Sequence, residues 1–98
     1  MQAIKKVEIV VDYLELANLL ALIKKDGLAV GYTIIKEAVG RGVRGERTGD
    51  GLSGELTNSY LMIACSEDEA KHIVKIVQPL LKRYGGICLV SDAMRVNH

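Results

Sequence analysis

The residues best suited to chemistry lie in one stretch, Gly40 to Asn58, which reads GRGVRGERTGDGLSGELTN. It opens on Gly40-Arg41-Gly42. Glycines let successive backbone N–H groups converge without a Cβ in the way, making an anion-sized nest. Arg41 adds a planar fork suited to phosphate or to a carboxylate-like anion such as bicarbonate. The spacing is not the six-position dinucleotide fingerprint, and no Gly-Lys-Ser/Thr follows, so neither of those nucleotide loops is formed. A plain glycine loop with solvated arginines stands as the alternative. Arg41, Arg44 and Arg47 are balanced by Glu46, Asp50 and Glu55, which makes the stretch a poor grip for polyanions in general and a good element to order around one specific ligand.

Other chemistry finds little support. His72 and His98 have no nucleophile partner in sequence, and Ser53, Ser59, Ser66 and Ser91 lack an elbow motif, so no enzyme is expected. Glu67, Asp68 and Glu69 fall in the first turn of an expected helix, where negative charge is favoured for structural reasons. Cys65 and Cys88 sit in apolar runs with no Cys-x-x-Cys and no histidine at ligand spacing, which reads as two buried thiols and no metal.

The elements that must position Gly40–Asn58 can be read on either side of it. Lys5–Val11 alternates as a first strand. Asp12 with Glu15 resembles a capping box and starts a helix over about residues 13–26, with Leu16, Leu19, Leu20 and Ile23 on one face and Gly27 as its stop. Gly31 opens a second strand, Tyr32–Ala38. From 39 to 57 all periodicity fails, and six of the ten glycines lie there. A third strand, Asn58–Cys65, precedes a second capping box, Ser66 with Glu69, and a helix carrying Ala70, Ile73, Val74, Val77, Leu80 and Leu81. Pro79 should kink or divide that helix near Gln78. After Gly85-Gly86 comes a fourth strand, Ile87–Val90, which Ala93–Val96 extends or follows.

The order β-α-β-β-α-β, with right-handed crossovers, gives an α+β, ferredoxin-like split βαβ fold over residues 1–98, with sheet order 4-1-3-2 and both helices on one face. That order puts the first strand between Cys65 and Cys88, against a disulfide. Strands exposed on one face should alternate apolar and polar, yet Tyr60–Cys65 and Ile87–Val90 are apolar on both faces. The second face therefore calls for a cover that two helices cannot supply. Self-association is the economical solution, and contact with another protein the alternative.

The 98 residues carry a formal net charge of +1, which leaves no electrostatic footprint for nucleic acid. No apolar run reaches the roughly 18 residues of a membrane span, and residues 1–6 do not read as a signal peptide, so a cytoplasmic location is expected. An RNA-binding ferredoxin-like module using the Arg/Gly loop is a further reading, but such modules stack bases on sheet aromatics, and this chain has four Tyr, no Phe and no Trp.

Across nearly its whole length the chain resembles the PII signal-transduction superfamily. The long segment between strands 2 and 3 is similar to that family's T-loop. Gly31-Tyr32-Thr33 resembles its Gly-Leu-Thr, Val39-Gly40-Arg41-Gly42 its T-loop base, and Val90-Ser91-Asp92-Ala93-Met94-Arg95-Val96 its V-E-D-A-I-R-I-R tail. The resemblance implies a homotrimer with adenine nucleotide in three clefts between neighbours, and a T-loop (39–57) that changes shape with the ligand and is read by a target protein. Gly40, Arg41, Gly42, Gly85, Gly86 and Ile87 would then serve the nucleotide from one subunit, and Gly31, Thr33 and Arg95 from the next. Against the nitrogen-regulatory branch, the loop has no tyrosine, Tyr84-Gly85-Gly86-Ile87 replaces G-D-G-K, and Asn97 replaces the second tail arginine. Fewer cations imply ADP or AMP over ATP. Gly86-Ile87-Cys88-Leu89-Val90-Ser91-Asp92-Ala93 is closer to the carboxysome-associated PII-like proteins. That similarity implies bicarbonate as a second ligand, contacted by Arg41 and Asn58, and a role in inorganic-carbon metabolism; a nitrogen-type PII regulator is the alternative.

Overall fold

A computed structural model describes residues 1–25, 31–42, 45–47 and 57–98. Strand β1 (Gln2–Asp12) leads through a single 3-10 turn, Tyr13–Glu15, into helix α1 (Leu16–Lys25). Strands β2 (Tyr32–Ala38), β3 (Gly40–Gly42), β4 (Gly45–Arg47) and β5 (Asn58–Cys65) follow, then helix α2 (Glu67–Tyr84) and strand β6 (Ile87–Arg95). The main sheet is antiparallel in the order β2-β5-β1-β6, which is the expected 4-1-3-2 of the four long strands. The fold is the ferredoxin-like βαββαβ sandwich.

Alternation in β1 and β5 decides which face meets the helices. Val7 stands opposite Ile63, Ile9 opposite Leu61 and Val11 opposite Ser59, and all six are buried. Leu19 and Ile23 of α1 cover them, as do Ala70, Ile73, Val77 and Leu80 of α2 at helical spacing. The cap of α2 is as read, whereas Asp12 caps the 3-10 turn Tyr13–Glu15 ahead of α1, and Glu15 Oε1 accepts from the Asn18 side-chain amide at 3.0 Å. Asp12 Oδ1 accepts from the Leu14 N–H at 3.0 Å. At α2 the box is reciprocal: the Glu69 N–H donates to Ser66 Oγ at 3.1 Å, and the Ser66 N–H to Glu69 Oε1 at 2.9 Å. Those bonds hold the Glu69 carboxyl below the usual carboxylate range.

Several boundaries differ from expectation: β1 begins at Gln2 and not Lys5, and α1 begins at Leu16, after the 3-10 turn, and not at 13. Helix α2 runs unbroken through Pro79 to Tyr84. Pro79 and Lys75, whose carbonyl it leaves without an i+4 donor, are both exposed residues, while buried Val77 and Leu80 anchor the helix on either side. Strand β6 continues without interruption from Ile87 to Arg95, because β1 pairs with it as far as Gln2 opposite Arg95. Residues 40–42 and 45–47 are not featureless either: β3 and β4 pair, with Gly40 opposite Arg47, Arg41 opposite Glu46 and Gly42 opposite Gly45. Gly27, read as the stop of α1, lies outside the described residues, as do 43–44 and 48–56 of the long loop.

Candidate functional site

The loop springs from a defined root at one end of the sheet. Between Ile35 (opposite Tyr60) and Ala38 (opposite Asn58), β2 carries one residue more than β5, the signature of a bulge. Buried Ser59 donates its hydroxyl to the Lys36 carbonyl inside that irregularity. A bulge bends its strand, and this one re-aims the chain just before Val39 and β3. On the return side, the carbonyl of buried Thr57 accepts a hydrogen bond from the Tyr13 N–H at 3.0 Å, and half-buried Asn58 stands between Ala38 and Asp12 in the sheet.

Gly85-Gly86 and Ile87 come to the same end. Ile87 pairs with Val10, two positions before the row of Asp12 and Asn58, a step of about 7 Å along the strand. Gly85 (φ 84°) ends α2, and its N–H donates to the Leu81 carbonyl at 2.8 Å. At Gly86 (φ 117°) a Cβ would lie 2.5 Å from the Val10 carbonyl oxygen. The pair thus has a packing reason of its own: the chain turns out of the helix and passes too close to β1 to carry a side chain.

The remaining expected contacts lie elsewhere in the same chain. Thr33 sits on edge strand β2 opposite Met62, and Gly31 just before it. Strand β6 is the other edge, three interstrand spacings or about 14 Å across. Arg95 ends β6, eight residues or about 26 Å along from Ile87, near enough to Glu69 for its charge to act on that carboxylate. One chain therefore brings Asn58, Gly85, Gly86 and Ile87 to the end of the sheet where Gly40–Gly42 follows the loop root, while Thr33 lies two rows from Ile87 on the opposite edge strand and Arg95 ends β6 at the far end of the sheet. Gly31 contrasts with Gly86. A Cβ there would meet nothing within 4 Å among the described residues, so none of them requires the glycine.

The Gly40–Gly42 backbone differs from the convergent nest read from its glycines. It is an extended strand laddered to β4, and in such a ladder alternate N–H groups face opposite ways. Arg41 and Glu46, of opposite charge, occupy paired positions.

The sheet face away from the helices carries a feature that strand patterning alone did not single out. Glu8 Oε2 accepts a 2.5 Å hydrogen bond from the Tyr60 hydroxyl, and Lys6 Nζ lies 3.7 Å from Glu8 Oε1. The carboxylate holds the Tyr60 phenol above its usual range, with partial burial adding to the effect. Around them Ile35, Ile87 and Leu89 are 54%, 49% and 51% exposed. Tyr60 is the one aromatic side chain on that face among the described residues, which offers RNA bases no row of rings. Cys65 and Cys88 are free thiols raised in pKa by burial, on the two strands flanking β1. Among the described residues no cluster of His, Cys, Asp or Glu could hold a metal ion, and no helix is long and apolar enough to cross a membrane.

The sequence profile of the family described as nitrogen regulatory protein P-II matches residues 4–98. No curated protein matches the sequence. Among solved structures, the PII-like protein CPII from Thiomonas intermedia K12, bound to ADP, AMP and bicarbonate, superposes with a TM-score of 0.82 at 23% identity, over 95% of this chain and 88% of that one. The apo form of CPII gives a TM-score of 0.74 at 20% identity, over 95% and 91%. A protein of PII-like type from Thermus thermophilus is 28% identical over 97% of this chain and 91% of its own, with a TM-score of 0.76.

Proposed function

Because the chain belongs to the nitrogen regulatory protein P-II family, we propose that it is a PII-like, non-enzymatic sensor of ADP or AMP together with bicarbonate, acting on inorganic-carbon metabolism from the cytoplasm. The observation that carries this reading is the placement of Gly31 and Thr33 on edge strand β2 and of Arg95 at the far end of the other edge strand, β6, away from the loop root. Gly40, Arg41, Gly42, Gly85, Gly86 and Ile87 serve the phosphates from one subunit. Gly31, Thr33 and Arg95 reach the same nucleotide from its neighbour in a homotrimer, whose assembly covers the apolar sheet face around Leu89. Gly31 suits that role, since a glycine with no packing reason among the described residues leaves room for a ligand or a second backbone. Arg41 and Asn58 hold bicarbonate at the loop root. CPII, with the same fold, has been captured with ADP, AMP and bicarbonate, which supports the choice of ligands.

The chain's part in such a switch is positional. The bulge in β2 and the Tyr13–Thr57 bond anchor both ends of the loop 39–57 on the sheet. Ligand contacts at Arg41 then bias the loop alone and leave the core unchanged, and a target protein reads the favoured loop state. Isothermal titration calorimetry with ADP, AMP and ATP, each with and without bicarbonate, tests the reading. ADP and AMP should bind more tightly than ATP, with bicarbonate tightening ADP. Absence of heat with every nucleotide would sink it.

A further inference from the structure

The glycine pair leaves a charge unaccounted for. A nucleotide phosphate beside Gly85-Gly86 needs a cation, and position 86 cannot supply one: φ is 117° and a Cβ would lie 2.5 Å from the Val10 carbonyl oxygen. Beyond Arg41 at the loop root, a further cation beside the pair must come from a neighbouring position. Immediately before the pair, the Arg83 guanidinium carbon lies 5.3 Å from the centroid of the Tyr84 ring. Helical side chains lean toward the N-terminus of their helix, yet this guanidinium sits over the ring of the next residue on, beside the last residue of α2. Both side chains are exposed, and among the described residues no carboxylate forms an ion pair with Arg83. Stacking on a ring face orients a planar cation and lowers the entropy lost when it forks onto an anion. The helix C-terminus favours a cation here as well, but that attraction does not require the ring.

We infer that Arg83, held by Tyr84, is a specificity-determining residue that contacts the terminal phosphate of a nucleoside diphosphate at the Gly85-Gly86 turn. The inference rests on the nucleotide-site reading above. It gives ADP one charge-assisted contact that AMP, a phosphate shorter, does not reach.

Calorimetry with ADP and AMP on the full chain tests it, comparing the parent with Arg83→Gln, Arg83→Lys, Tyr84→Ala and, as a charge control on the exposed side of α2, Lys75→Gln. Loss of a charge-assisted hydrogen bond predicts that Arg83→Gln weakens ADP about tenfold or more and AMP less than about threefold, so the preference for ADP collapses. Arg83→Lys should restore part of the ADP affinity, Tyr84→Ala should weaken ADP less than Arg83→Gln does, and Lys75→Gln should match the parent. A parent that binds ADP while Arg83→Gln binds it equally well overturns the inference and leaves the nucleotide reading standing. Equal losses for ADP and AMP overturn it too, since the contact would not then read the terminal phosphate. A parent that binds neither nucleotide removes both. Unchanged thermal melts of the Arg83 variants would show that the losses are not unfolding.

Discussion

At the scale of single residues, two glycines that look alike in sequence are opposites in structure. Gly86 is required by its own chain, so Gly86→Ala should cost about 1–3 kcal/mol or more, read as a lower urea midpoint at unchanged slope. Gly31→Ala meets open space and should leave the urea midpoint of the separated chain almost unchanged while weakening nucleotide binding. Two titrating groups shape stability at the extremes of pH. The Glu69 carboxyl is lowered by its capping bonds, so its contribution is present above the ordinary carboxylate range and fades as pH falls through the lowered value. The Tyr60 phenol is raised by Glu8, so its contribution is present below the ordinary phenol range and fades as pH rises through the raised value. Thermal melts across pH should therefore show Glu69→Gln flattening the acid limb and Tyr60→Phe flattening the alkaline one, each sparing the other limb.

At the scale of elements, α2 bears a residue its local chemistry disfavours. Pro79 removes one helical hydrogen bond and stands exposed between buried Val77 and Leu80, whose packing keeps the helix whole. Replacing it with Ala restores the N–H and improves helix propensity, offset in part by a freer unfolded chain. Pro79→Ala should stabilise the protein by about 1–2 kcal/mol in urea titrations. Ile73→Ala, from the same helix and wholly buried, should cost about 2–5 kcal/mol. The contrast tests whether α2 is held by its core stripe or by its own backbone.

At the scale of the whole molecule, the prediction concerns the uncovered sheet face and the divided site together. Leu89→Asp puts a charge where the proposed trimer excludes water, and light scattering should then report the 10.7 kDa chain alone. If nucleotide contacts come from two chains, Arg41→Ala and Arg95→Ala should each abolish tight binding. Unfolding the two variants together and refolding them as a mixture should regain roughly a quarter of the sites by random assortment. No recovery would mean that both arginines act within one chain.

Much of this protein is settled by local rules acting on local residues. The alternation of Val7, Ile9 and Val11, the Ser66–Glu69 box, the apolar stripe of α2 and the glycine-rich interruption after Ala38 each point to one element, and right-handed crossovers leave few ways to assemble them. The split fold and its strand order were therefore legible, as was the apolar second face. Boundaries that depend on a partner strand were not: β6 reaches Arg95 because Gln2 pairs with it, and Gly40–Gly42 is extended because Gly45–Arg47 lies alongside. The bulge that aims the loop, the contact that forbids a side chain at position 86 and the Tyr60–Glu8 bond likewise join residues distant in the chain. Periodicity reports which face a residue prefers. Register, which only the folded sheet sets, decides what it meets there.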